Sequence, residues 1–296
     1  MTSNNKDKHF ISELATKIVI GFCALVSVLA VLFIVLFLFS KAIPTIGEIG
    51  FVKFIFGDIW APNDEIPQFG IRNLILTSLV GTGGAILIGV PVGLLVAIAI
   101  AAVMPKSVSR FLTPAVNLLA GIPSVIYGAV GAILLVPFVQ ERFKLTTGST
   151  LLSAIIVLSV MVLPTIISVS ATSLKAVPRT YMEASLALGL TKEASVFRIM
   201  IPAARSGIMT GILLGLGRAI GEAMAIILVA GNVPGFPQLF KPTRFLTTGI
   251  VAEMGYADGL HRDALFAIGA VLFVFILFLN SVFYFLIRRA GKKYGN

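Results

Sequence analysis

The chain has 296 residues, 57% of them hydrophobic and only 12% charged, whereas ordinary soluble domains carry roughly a quarter charged residues. That balance excludes a soluble globular protein and points to lipid. The lone cysteine, Cys23, excludes an internal disulfide and a cysteine-built metal site, and His9 and His261 have no partner at ligand spacing, so no metal site is expected and both histidines are expected at the surface.

A membrane crossing needs about 20 mostly apolar residues to span roughly 30 Å of hydrocarbon. Residues 1–17 form a polar tail with Lys6, Lys8 and Lys17, and Ile18 to Ser40 is the first uncharged stretch. No small-residue cleavage site follows it, so it reads as a retained span with Cys23 as filler. An outer loop takes residues 41–73. Asn73 to Pro105, Phe111 to Gln140 and Leu145 to Leu174 supply the second to fourth spans, and their length predicts extra turns or tilt. The fifth, Ser206 to Gln238, is as apolar but is interrupted by Arg218 and Glu222; the sixth is Ala264 to Ile287, before a basic tail at 288–296. The fold class is therefore an all-α, multi-pass protein of the cell inner membrane with six transmembrane helices, five of them in one domain over 74–287.

Basic residues are held back on the cytoplasmic side of a membrane. With both termini inside, the inner segments carry fourteen Lys and Arg against four acids, while the outer loops carry eight of each. The net charge of +10 is thus a topology signal with an added pull toward anionic membrane lipid, and no nucleic-acid partner is needed to explain it.

The longest inner segment, 175–205, reads as two short helices. Pro178 suits a first helical position, Gly189 a left-handed turn, Thr191 the cap of a second helix with Glu193 in its first turn, and Pro202 its end. Glu183-Ala184-Ser185, Gly189 and Ile199-Met200-Ile201-Pro202 follow one another at the spacing of the EAA loop and resemble that loop of ABC-importer permeases, with Ser185 and Ile201 as mild departures. The resemblance implies the type I (MetI-like) importer fold and a loop that docks on a cytoplasmic ATPase. A phosphate-cradling GxxxxGK[ST] is absent, so the chain is expected to be a transport subunit and not an enzyme, with no cofactor of its own and ATP bound by a partner.

On a continuous helix Gly207, Gly211, Gly215, Arg218, Gly221 and Glu222 fall within about 120° of one another, a face suited to close packing that also carries the only charges in any span. Such charges face a bundle interior or a wet cavity. Arg218 and Glu222 can line a path, or pair with each other at i, i+4 as a structural device. A second stripe joins Asn117, Gly121, Ser124 and Gly128 in the third span, with Pro123 among them; it reads equally as path lining or as a kinked packing helix.

Leu118 to Gly128, Gly215 to Asn232 and Gly259 to Phe275 are together similar to the PstC family of phosphate-importer permeases, with the sister family PstA as the nearest alternative. The resemblance implies a homologous PstA-like permease, a PstB-like ATPase dimer and a PstS-like binding protein outside. It also makes Gly217 to Glu222 the candidates for the phosphate path. Arg218, Ser124 and Asn117 could supply the charge and donors an oxyanion wants, and sulfate or molybdate would ask for the same. A proton-coupled secondary transporter using Glu222 is the reading of another class, but it leaves the EAA loop unexplained.

Overall fold

The structure, a computed structural model, describes residues 3–292. Helix α1 runs Ser3–Ile49, so the expected polar tail is helical from Ser3 onward and continuous with the first span. A short α2 (Phe51–Phe56) and a hairpin of β1 (Trp60–Ala61) and β2 (Gln68–Phe69), with Trp60 opposite Phe69, follow. Next come α3 (Arg72–Ile98), which ends in a π-turn at Ala99–Val103, α4 (Lys106–Gly121) and α5 (Ser124–Val130). A second π-turn, Gly131–Leu135, joins α5 to α6 (Val136–Phe143), and α7 spans Leu151–Lys175. The segment after it holds α8 (Arg179–Ala187) and α9 (Lys192–Ser195), and a third π-turn, Val196–Met200, leads into α10 (Ile201–Gly221). Finally α11 (Met224–Val229), α12 (Leu246–Glu253) and α13 (Gly259–Lys292) complete the chain. The basic tail expected from residue 288 is helical as far as Lys292, and its remainder lies outside the described residues, as do residues 1 and 2 of the N-terminal tail.

Among the described residues six helices are long and apolar enough to cross a membrane: Thr16–Ile49, Arg72–Val103, Ser124–Phe143, Leu151–Lys175, Lys192–Gly221 and Gly259–Val282. The bounds of all six shift from the stretches read in the sequence, and two of those stretches are broken within. The third crossing is not Phe111 to Gln140, because the chain leaves helical geometry at Ile122 and Pro123, with ψ of 128° and 137°, and the crossing begins at Ser124. Proline lacks the N–H that would continue the ladder and pushes the residue before it toward extended backbone. The fifth does not run from Ser206 to Gln238: it starts at Lys192 and stops at Gly221. Pro202 likewise does not close a short helix but sits in the first turn of α10, where a missing N–H is tolerated and the preceding π-turn makes room for its ring.

Helix α7 is the axis of the packing, with Leu158, Val162 and Ile166 fully buried. Glycines let its neighbours approach closely. A Cβ at Gly93 of α3 or at Gly215 of α10 would in each case lie 2.9 Å from a carbon of Ile166, so both helices close on the same side chain. A Cβ at Gly207 would lie 2.0 Å from Ser173 Oγ and one at Gly211 3.2 Å from Val169 and Ser170. Gly221, grouped with these in the sequence, faces open space, because the helix that was to carry the stripe onward ends there. Cys23 is exposed on the outside of the first span.

Candidate functional site

Two helix breaks meet inside the bundle. After Gly221 the backbone of Glu222 is extended (φ −74°, ψ 127°), and α11 starts two residues later. The Glu222 side chain turns forward and accepts from the Ala225 amide at 3.0 Å, so a carboxylate caps the first turn of α11, where the exposed amides favour negative charge. Thr247 Oγ1, on α12, donates to the Glu222 carbonyl at 2.8 Å. Helix α11 then packs on α5, the segment that follows the other break: a Cβ at Gly128 would lie 2.7 Å from Ala225 Cα. Ala225 is buried at this contact and Val229 beside it against Gly131, and Ile226 and Ala230 are also buried.

The pairing of Arg218 with Glu222 allowed by their i, i+4 spacing does not form. The helix ends between them, and the carboxylate is used by the Ala225 amide instead. Arg218 is half-buried, and among the described residues no carboxylate lies within 4.0 Å of its guanidinium. Its described electrostatic neighbour is Tyr127, in the first turn of α5, whose hydroxyl donates to the Leu119 carbonyl across the Pro123 break at 2.8 Å. Tyr127 was not singled out in the sequence, where an aromatic in an apolar span carries no signal.

The stripe read across Asn117, Gly121, Ser124 and Gly128 is not one helix face, because the break at Ile122 and Pro123 divides it. Gly128 belongs to the α5–α11 contact, and Ser124 is the first residue of α5, three before Tyr127. Asn117 lies on α4, exposed, and accepts from Ser168 Oγ of α7 at 3.0 Å.

In the segment after α7, Glu183, Ala184 and Ser185 fall on α8, and Gly189 has φ of +84° with the Leu190 amide donating to the Ser185 carbonyl, a helix-ending turn of the kind its spacing suggested. Thr191 Oγ1 accepts from the Ala194 amide at 3.2 Å. Ile199 lies in the π-turn and Ile201 and Pro202 open α10, so the part of this segment from Lys192 onward and the fifth crossing are one continuous rod.

A buried ionic cluster at the hairpin end was missed in the sequence. Glu253 is 5% exposed and sits between three donors: Trp60 Nε1 and His261 Nε2, each at 2.8 Å from Oε2, and the Arg244 guanidinium on Oε1. Arg244 Nε also donates to the Asn232 carbonyl at 2.9 Å. His261 is therefore not at the surface; it is 8% exposed, because the carboxylate and the rings of Trp60 and Tyr256 enclose it. A lone tryptophan in an outer loop, and a Glu and a His flanking the entry to the last helix, were the available signals.

Residues 89–293 match the family described as the binding-protein-dependent transport system inner membrane component. The chain belongs to this family. It is 34% identical to the probable ABC transporter permease protein YqgH of Bacillus subtilis (strain 168), over 98% of this chain and 94% of that protein. It is 30% identical to the phosphate transport system permease protein PstC of Pasteurella multocida (strain Pm70), over 98% and 96%. The backbone of a bacterial alginate ABC transporter, solved in complex with alginate pentasaccharide-bound periplasmic protein, superposes with a TM-score of 0.57 at 18% identity, covering 91% of this chain and 95% of that one. This permease thus has the type I ABC importer fold and is a multi-pass inner-membrane transport subunit, not a catalytic one.

Proposed function

We propose that this permease carries inorganic phosphate inward, pairing with a homologous PstA-like permease, driven by a PstB-like ATPase dimer and fed by a PstS-like binding protein on the hairpin side. Arg218 is the observation that supports an oxyanion as cargo. A half-buried guanidinium without a carboxylate partner among the described residues, set where two broken helices meet, offers charge-assisted donors to an anion. Glu222 shapes this place without neutralising it, since its carboxylate is turned to the α11 amide. That capping role weighs against Glu222 as a proton relay. The PstC relatives support phosphate over sulfate or molybdate.

In this reading the 175–205 segment is cytoplasmic, in line with the charge asymmetry, and Glu183, Ala184, Ser185, Gly189, Ile199, Ile201 and Pro202 form the contact with the ATPase. The test is uptake into proteoliposomes holding both permeases and the ATPase, with the binding protein outside and ATP inside. Phosphate uptake that needs all four components and is not matched by sulfate or molybdate is expected. Uptake of another oxyanion in place of phosphate would overturn the cargo, and uptake without the ATPase would overturn the coupling.

A further inference from the structure

Where α4 crosses α7, near the end of the bundle that carries residues 175–205, five polar side chains surround a cavity of about 70 Å³. Ser168, Thr172 and Lys175 come from one face of α7 at i, i+4 and i+7, and Thr113 and Asn117 from α4 at i, i+4. The rest of the lining is aliphatic, and no carboxylate contributes.

The hydrogen bonds decide what the cavity can hold. Thr113 Oγ1 donates to the Ser109 carbonyl and Thr172 Oγ1 to the Ser168 carbonyl, each at 2.8 Å, and Ser168 Oγ donates to Asn117 Oδ1 at 3.0 Å. These bonds occupy the three hydroxyl protons and fix the Asn117 amide with its oxygen used. What remains is donor capacity: Asn117 Nδ2, without a partner among the described residues, and the Lys175 ammonium, whose one contact is Thr113 Oγ1 at 3.5 Å. Two donors, one of them cationic, over a dry floor suit an anion with several acceptor oxygens.

We propose that this cavity is a second binding station for a tetrahedral oxyanion, with Lys175 and Asn117 as its ligands, on the inner side of Arg218. The proposal rests on the phosphate reading given above. Because Gly215 packs against Ile166 and Gly207 against Ser173, Arg218 and Lys175 stand roughly 20 Å apart along the bundle at 1.5 Å per residue. The two places would thus sit at different depths of the bundle, Lys175 nearer the end that carries residues 175–205.

A lysine in the last turn of a helix also favours the helix dipole, and a phospholipid head group presents the same chemistry as free phosphate, so the test must separate three cases. The assembled complex, purified in a maltoside detergent without binding protein or nucleotide, is dialysed against radiolabelled phosphate. With the Arg218 charge removed by Arg218→Met, one saturable site is expected to remain, its affinity about tenfold or more lower once Lys175→Met or Asn117→Leu is added and retained with Lys175→Arg. Adding Lys175→Met to Arg218→Met without any loss of phosphate binding, with only the thermal midpoint lowered, would leave the dipole role and sink the station. Acylation of Lys175, mapped by mass spectrometry, should be slowed by phosphate; protection by phosphatidylglycerol and not by phosphate would overturn the solute station in favour of a lipid. A wild type that transports phosphate but binds none in this state refutes the station alone, whereas a wild type that transports only another oxyanion refutes the cargo.

Discussion

The Glu222 carboxylate lies 3.0 Å from the Ala225 amide and makes no ion pair with Arg218, one helical turn earlier. The two residues are therefore separate in the structure: Glu222 caps the start of α11, and Arg218 has no carboxylate partner among the described residues. Removing Arg218 does not strand a buried carboxylate, so Arg218→Met is expected to assemble at near wild-type yield and lose nearly all phosphate uptake. Glu222→Leu is expected to lose a cap, worth about 1 kcal/mol, and to lower the thermal midpoint. In the double variant the stability changes should add to within about 0.5 kcal/mol. A double variant clearly more stable than that sum would show that the two side chains are coupled after all.

Glu253 is the common acceptor of the buried cluster at the hairpin end. Its removal leaves Arg244, a buried indole N–H and His261 without their acceptor, and stripping one partner from a buried pair costs about 3–5 kcal/mol. Glu253→Leu is expected to prevent stable assembly, and Trp60→Phe to cost about 1–3 kcal/mol by removing one donor. Thermal unfolding followed by fluorescence-detected chromatography measures both. A Glu253→Leu complex as stable as wild type would show the cluster to be incidental.

Gly189 turns at φ of +84° with nothing within 4 Å of where a Cβ would be placed, so a substitution there meets strain and no clash. Gly189→Asn, which tolerates the left-handed region, should retain most transport, whereas Gly189→Val should lose it while the complex still assembles. ATP hydrolysis with and without the binding protein reads the outcome. Equal coupling in both variants would remove the turn from the mechanism.

The glycines of α3 and α10 that face Ile166 of α7 give a packing test. Gly215→Val drives a side chain into Ile166 and is expected to destabilise by about 1–3 kcal/mol. Combining it with Ile166→Ala should recover part of that loss. A double variant less stable than both single ones would mean that α10 does not rest on Ile166.

The six crossings were legible because composition alone selects apolar stretches of the right length, and the turn at Gly189 was legible because helix, glycine and cap follow one another locally. The breaks were harder. Pro123 was visible, but whether a proline bends a helix or ends it depends on what receives the freed backbone, here the Tyr127 hydroxyl on the Leu119 carbonyl. Nothing local marks Glu222 as an end, since Gly217 to Glu222 continues a helical pattern; its partners, the Ala225 amide and Thr247, exist only once α11 has folded back on α5. The cluster joins Trp60 to Glu253, 193 positions away, beyond the reach of any periodicity.

The continuity of Lys192–Gly221 makes the fifth crossing a lever. Thirty helical residues extend about 45 Å, so a tilt of about 5° around the Lys192 end would sweep Gly221 through roughly 4 Å. That displacement exceeds the 3.0 Å between Glu222 and Ala225 and the 2.8 Å between Glu222 and Thr247. A small swing at the Lys192 end of this helix would thus suffice to open the joint that follows Arg218 at its other end.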